Sequence, residues 1–416
     1  MRRAKYLLTI PVLAAMAAVG AAQETPPVLK FGITGSDPTG EYSRVMSQVA
    51  VQRVLLDIAH QPRSRSFIDE RLHESNVGID QLLHLGLIRA EGDDYRIAFT
   101  LLTREDDQRV REVTAKYARF LSDGILKRRK ELEQLLAAYD LPSVSKGDLA
   151  YVLIGCFALD WDGQDIAREE KYFTEAGQNQ YAAWAQELGL SLKGMYWGSH
   201  NGYLKSVVFT SFGDHEALPR MALPDMVWRM SRATENAELA PELVKPSRTF
   251  ADSAFSSFLE KTGAVMFSLR SGPKTTDDIA AGGRLSREEL APIIDLLLQM
   301  HYVRQDGNRY IAAVPVLGAV DRQMENAVRQ VVWQVMHEWL GTYYEPLRAE
   351  LQGITPLKYG VSYREHVFLQ IWHYVFAMTN GQLVESGFFS SPYGSERRYK
   401  GFTPMVWDPS LEYLSR

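Results

Sequence analysis

Residues 79–98 read IDQLLHLGLIRAEGDDYRIA and residues 294–313 read IDLLLQMHYVRQDGNRYIAA. The two align without gaps at a shift of 215, and eight of twenty positions are identical. Chance supplies about one or two such matches, so the chain reads as an internal duplication. A repeat is a strong constraint, because whatever one copy folds into the other should approximate. Downstream, Ser145 followed by Asp148 matches Ser362 followed by Glu365, and Gly163-Gln164 matches Gly381-Gln382. Met226-Val227-Trp228 then matches Met405-Val406-Trp407, but the shift has fallen to 179, so the first copy carries about 39 extra residues. Two related halves result, roughly 42–245 and 246–416.

The rest of the chain is ordinary for a folded protein: 416 residues, 46% hydrophobic, 23% charged, net charge −5 and one cysteine. That balance excludes a disordered tail, a disulfide-stapled mini-protein and a generally basic nucleic-acid binder. Arg2, Arg3 and Lys5 precede an apolar stretch at 7–18, and Gly20, Ala21 and Ala22 then lead into Gln23 and Glu24. This is the pattern of a secretory signal, too short for a comfortable membrane span. The mature product is therefore expected outside the cytoplasm, periplasmic or secreted. Cys156 lies in the apolar run 149–159 and reads as a small core residue.

In the second half, Thr275 with Asp278 and Ser286 with Glu289 are helix-start signals. Leu290, Ile293, Ile294, Leu297 and Leu298 then make one apolar stripe, and YVRQDGNRYIAAV reads as a hairpin. With a helix at 251–269 this makes helix–helix–helix–hairpin. The first half repeats the plan: a helix at 45–60, a second starting at Ser66 with Asp69, a third in 78–85, and the hairpin LIRAEGDDYRIAF. The arrangement resembles the winged-helix fold of MarR-like and ArsR-like regulators, at the level of fold and with no specific family signature. Each hairpin leads into a long helix, Asp106–Leu136 and Asp321–Glu345, and then a strongly apolar one, Gly147–Leu159 and Tyr363–Met378. In winged-helix dimers such helices join two subunits, so the resemblance implies a pseudo-symmetric dimer within one chain.

The fold class expected is therefore mainly α with small β-hairpins (α+β). Its parts are a signal at 1–22, an extended lead-in at 23–41, a winged-helix-like unit at 42–102 with helices at 103–175, an aromatic β-rich insert and linker at 176–245, a second unit at 246–316 with helices at 317–387, and a C-terminal segment at 388–416.

DNA reading requires cations on the third helix of such a unit. The second copy offers Arg287 beside Glu288, Glu289 and Asp295, with Pro292 in its path. The first offers Asn76, Asp80, Gln81 and His84. The basic run 127–130 continues into Glu131 and Glu133, which makes it a solvated helix face. DNA is thus not the expected partner.

Sequence signals for chemistry are sparse. His337-Glu338 is not part of an HExxH site, His366 and His373 are two helical turns apart, and no histidine recurs between the copies, so no metal and no cofactor are expected. DWDGQD at 160–165 lacks the twelve-residue calcium-loop spacing and reads as a helix-ending turn. GSHNG at 198–202 is not a nucleophile elbow and reads as the turn of a hairpin. The aromatic insert is the most individual region: Trp184, Tyr196, Trp197, His200 and His215 are its ligand or interface candidates, against a reading as plain β-subdomain core. The leading expectation is an exported, non-enzymatic binding or scaffold protein whose partner is an envelope protein. An extracytoplasmic hydrolase or small-ligand binder using the insert, and a DNA-binding protein, are the alternatives.

Overall fold

The computed structural model describes residues 28–35, 40–73, 75–141, 143–174, 181–189, 196, 199–203, 208–212, 257, 260–299, 301–391 and 405–408. The expected export signal at 1–22 lies outside them. Among them, no helix is long and apolar enough to cross a membrane. The protein is mainly helical with small sheets, an α+β architecture.

The first half opens with β1 (Leu29–Gly35), α1 (Glu41–Met46) and α2 (Val49–His60). Next come β2 (Arg63–Ser64), α3 (Arg65–Leu72) and α4 (Ile79–His84). The hairpin β3 (Ile88–Glu91) and β4 (Asp94–Ile97) and the short β5 (Thr100–Leu102) follow. The capping residue of α3 is Ser64, two residues before the expected Ser66. Arg63 and Ser64 pair with Tyr95 and Asp94 of β4, so the helix starts as soon as the strand ends, and Ser64 Oγ accepts the Phe67 N–H at 3.4 Å.

A second series of short helices and strands lies later in the chain. A helix α9 at 260–270 precedes β9 (Lys274–Thr275), α10 (Thr276–Gly283) and α11 (Arg287–Gln299). The hairpin β10 (Val303–Asp306) and β11 (Arg309–Ala312) and the short β12 (Val316–Leu317) close the series. The strand order β2-β4-β3 is matched by β9-β11-β10, and Tyr95 and Tyr310 hold the same place, opposite Arg63 and Lys274. In both hairpins the first of two loop residues has positive φ, 63° at Gly92 and 58° at Gly307, a conformation a Cβ disfavours.

Two long helices then carry the bundle. In the first half, α5 (Arg104–Lys127) starts at a Thr103–Asp106 capping box. The expected single helix breaks at Arg128, and α6 (Arg129–Leu136) continues. After α7 (Lys146–Ala150), residues Tyr151–Asp162 wind as a π-helix (π1) that runs directly into α8 (Gly163–Glu169). DWDGQD therefore lies within continuous helix and does not form the turn expected of it. In the second half, α12 (Arg322–Glu350) and the short α13 (Thr355–Lys358) lead into a π-helical turn Tyr363–Val367 (π2) and α14 (Phe368–Glu385). Ser145 and Ser362 cap the matched helices, as their spacing predicts.

The packing crosses between halves. The helix α5 lies on α14, and α12 lies on both α5 and π1. Met324, Val328, Val331, Val335 and Trp339, the expected stripe of α12, are all buried. On α5 the stripe is Val110, Val113, Tyr117 and Leu121; Phe120, expected with them, is 38% exposed and stacks on Tyr343 of α12 at 4.7 Å. Two buried indoles find partners across the same seam, which offsets the cost of their dehydration. Trp339 Nε1 donates to the Tyr117 carbonyl at 2.9 Å, and Trp372 Nε1 donates to the Leu159 carbonyl at 2.8 Å.

Each unit also docks on the other half's connector. Asp106 accepts the Thr355 N–H at 2.8 Å, and Arg89 donates to the Tyr359 carbonyl. Reciprocally, Tyr139 Oη accepts the Val316 N–H at 2.9 Å, Arg270 donates to the Asp140 carbonyl at 3.1 Å, and Ser143 donates to the Ala312 carbonyl.

The region 176–245 contains β6 (Tyr181–Glu187), β7 (Ser199–Tyr203) and β8 (Val208–Phe212). These strands do not make one sheet of their own. The strand β6 sits between β1 and β5, antiparallel to one and parallel to the other. The pair β7–β8 joins β13 (Met405–Trp407), which runs parallel to β12. One expectation is corrected here: Ser199–Gly202 belong to a strand rather than to a hairpin turn. Residues 29–35 of the extended lead-in form a paired strand.

Candidate functional site

The expected insert residues have separate neighbours. Trp184 is half-buried on β6 opposite Gly32, where an added Cβ would come within 2.7 Å of the indole, so the glycine makes room for the ring. The Tyr42 hydroxyl donates to the Trp184 carbonyl at 3.0 Å. Tyr196 faces the bundle instead: its N–H donates to the Ala377 carbonyl at 3.4 Å, and its carbonyl accepts from Asn380 Nδ2 at 3.0 Å. The ring lies edge-on to Tyr151, and burial pushes its hydroxyl above the usual range. His200 lies on β7, where only the backbone is described, and Trp197 and His215 lie outside the described residues.

Among the described residues a buried polar cluster lies where the halves meet; Asp162 comes from the DWDGQD segment, while its partners Glu325, Arg329 and Trp333 carry no signal in the sequence. Asp162, on π1, receives Nε of Arg329 from α12 at 2.7 Å, with a second bond from the guanidinium Nη2. Trp333 Nε1 donates to the same carboxylate at 2.6 Å, and Arg329 Nη1 donates to Glu325 at 2.8 Å. All three charged residues are buried. Two carboxylates thus share one guanidinium, and burial raises both acids, Glu325 to about 6. On the far side, Asp160 accepts from Gln164 at 2.8 Å, and burial outweighs the nearby His373 in raising its carboxyl. Cys156 is buried beside it, and burial pushes the thiol well up, which leaves it protonated and unreactive. Among the described residues no group of three histidine, cysteine or carboxylate side chains is arranged to hold a metal ion. A bidentate buried ion pair between halves, capped by an indole, braces the bundle.

The exposed faces of the two units differ. On α11, Arg287 pairs with Asp277 at 2.6 Å, so the one cation at its start is neutralised. Glu289 accepts from Lys261 at 2.8 Å and from the Ser286 N–H at 3.0 Å, which holds its carboxyl down to about 2. Glu288 and Asp295 remain exposed, and the face is acidic. The first hairpin spends its cations internally: Arg89 binds the Tyr359 carbonyl, and Arg96 pairs with Glu91 and lies over the Tyr359 ring at 5.7 Å. In the second hairpin, Arg304 and Arg309 are exposed.

The first unit also holds a cleft of ~350 Å³ between α1 and the segment leading into α4. Val45 and Val77, both buried, form its floor; Arg44, Gln48, Asn76 and Gln81 line its walls. Comparisons with protein-family models, curated proteins and solved structures find no match to this chain.

Proposed function

We propose that the chain is an exported, non-enzymatic scaffold in which two winged-helix-like units serve as protein-contact modules. The bundle holds them as a pseudo-symmetric pair. The observation that carries this reading is the acidic, cation-poor third-helix face of the second unit on a repeated helix–strand–helix–helix–hairpin frame. A DNA-reading face needs free arginine and lysine for phosphates. Here Arg287 is paired with Asp277, and Arg89 is bound to the connector of the other half. Reciprocal docking of each unit on the opposite connector supports the paired arrangement, since it fixes the two faces relative to each other. The buried, braced polar cluster supports a structural role for the bundle, because it offers no reachable nucleophile.

The test is capture of the mature chain, lightly cross-linked, from its native envelope extract. One stoichiometric protein partner, with cross-links mapping to α11 or to the α3–α4 face, is the expected result. Salt-sensitive binding of duplex DNA without a protein partner would overturn the proposal, and so would substrate turnover lost on His200→Ala or His215→Ala.

A further inference from the structure

The cleft of the first unit gathers groups of a distinct chemistry. Arg44 is exposed on the last turn of α1 and makes no ion pair or side-chain hydrogen bond with the described residues. The amides of Gln48 and Asn76 are likewise unengaged among the described residues, while Gln81 Nε2 donates to Glu41 at 2.6 Å. One guanidinium and three carboxamides therefore face a shared space above two buried valines. A volume of ~350 Å³ is at the lower end of the range for ligand sites, about 300–1,000 Å³.

Each group restricts what fits. A guanidinium presents a planar fork of donors that matches a carboxylate in two bonds. A carboxamide carries a donor and an acceptor on adjacent atoms, the complement of a peptide group. Three of them beside one fork describe a site for a carboxylate attached to peptide backbone, with the valine floor under an aliphatic stem. A single carboxylate matches one guanidinium fork in two bonds, whereas a phosphate dianion calls for more positive charge than the one arginine among the lining residues supplies.

We infer that this cleft binds a glutamate- or aspartate-bearing peptide segment of the partner protein, the carboxylate seated on Arg44 and the backbone read by Gln48, Asn76 and Gln81. The inference deepens the scaffold reading and rests on it for the identity of the partner, but the recognition chemistry can be measured separately.

The probe is a fluorescein-labelled, end-capped alanine–glutamate–alanine peptide titrated with the full chain and followed by anisotropy. Matched glutamine and phosphoserine peptides are run alongside. The expected result is at least ten-fold tighter binding of the glutamate peptide than of either match. Arg44→Gln should remove that preference, Arg44→Lys should restore part of it, and Arg309→Gln in the second unit should leave it unchanged. Because Arg44 is exposed and has no ion pair with the described residues, its variants should melt with the wild type, which separates lost binding from lost folding. Equal binding of the three peptides, tighter binding of the phosphoserine peptide, no binding at millimolar concentration, or a preference that survives Arg44→Gln would each overturn the inference. If Arg44→Gln abolishes peptide binding while partner capture persists through α11, the cleft stands as a site of its own. If capture fails altogether while the peptide still binds, the scaffold reading alone falls.

Discussion

Arg329→Met is expected to destabilise the protein by about 3–5 kcal/mol at pH 7, the usual cost of removing one partner from a buried ion pair. The guanidinium joins Asp162 of the first half to Glu325 of the second half's long helix, and all three residues are nearly free of solvent. Methionine fills much of the same volume, so packing loss contributes little; the cost comes from two carboxylates left without a counter-charge. Trp333 would still donate one hydrogen bond to Asp162, which softens the loss on that side alone.

The penalty should shrink as the pH falls. Glu325 ionises near pH 6 in the folded protein against an ordinary value of 4.5, so the folded state holds its proton more tightly than the unfolded chain does. Stability from that proton is fully present below about pH 4.5 and is lost as the pH rises through about 6. Asp162 is shifted in the same direction. Without Arg329 both acids should move further up, and the variant should recover part of its deficit at pH 5. Glu325→Gln, which keeps an oxygen for Arg329 Nη1, should flatten the stability change between pH 4.5 and 6. The other charges facing the pair are Arg322, on α12 itself, toward Glu325 and Asp165, on α8, toward Asp162, and neither substitution touches them. Urea denaturation followed by tryptophan fluorescence at pH 5 and pH 7 checks both variants. A pH 7 loss below about 1 kcal/mol for Arg329→Met, or a larger loss at pH 5 than at pH 7, would rule out the brace.

How far such features are legible in sequence depends on how local their physics is. Helix starts are local: Thr275 with Asp278, Ser286 with Glu289 and Ser145 with Asp148 form hydrogen bonds within three residues, and all three pairs are made. Hairpins are local too, because a glycine at positive φ and an alternating pattern suffice, and Gly92 and Gly307 mark both turns. The long buried stripe of α12 follows from helical periodicity alone. What escapes is pairing at a distance. The residues of the brace, Asp162 and Arg329, are 167 positions apart, and nothing near either one announces the other. The strand β6 pairs with a segment some 150 residues earlier, so its aromatic content reads as an insert until its partners are seen. The same holds for the cleft, where Arg44 and Gln48 meet Asn76 and Gln81 only because α1 folds beside the start of α4. Trp184 and Tyr196 show the same limit: near neighbours in sequence, they have separate surroundings, Trp184 on β6 opposite Gly32 and Tyr196 beside Tyr151 and Asn380.

Gly163→Ala should cost about 1–3 kcal/mol, although it replaces glycine by the best helix former at the junction of π1 and α8. Propensity favours the change by about 1 kcal/mol. Packing opposes it more strongly, because the new methyl carbon would lie 2.6 Å from Nε1 and 2.7 Å from Cε2 of Trp372. Trp372 has little freedom to retreat. It is fully buried, it stands edge-on to Trp339 at 5.5 Å, and its N–H is committed to the Leu159 carbonyl. Turning the indole would strand that N–H in an apolar interior, a loss of about 1–3 kcal/mol by itself. The helix of the first half can approach α14 this closely only because position 163 lacks a side chain. Trp372→Phe removes the part of the ring that the methyl would strike, so the two substitutions should couple. Alone, Trp372→Phe leaves a cavity and removes one hydrogen bond from the Leu159 carbonyl; together with Gly163→Ala, the methyl occupies part of that space. The double variant should therefore be more stable than the sum of the single losses predicts, by at least about 1 kcal/mol. Thermal or urea denaturation of the four proteins gives the cycle directly. Strict additivity would mean that the indole finds another resting place, and that this contact does not set the spacing of the two halves.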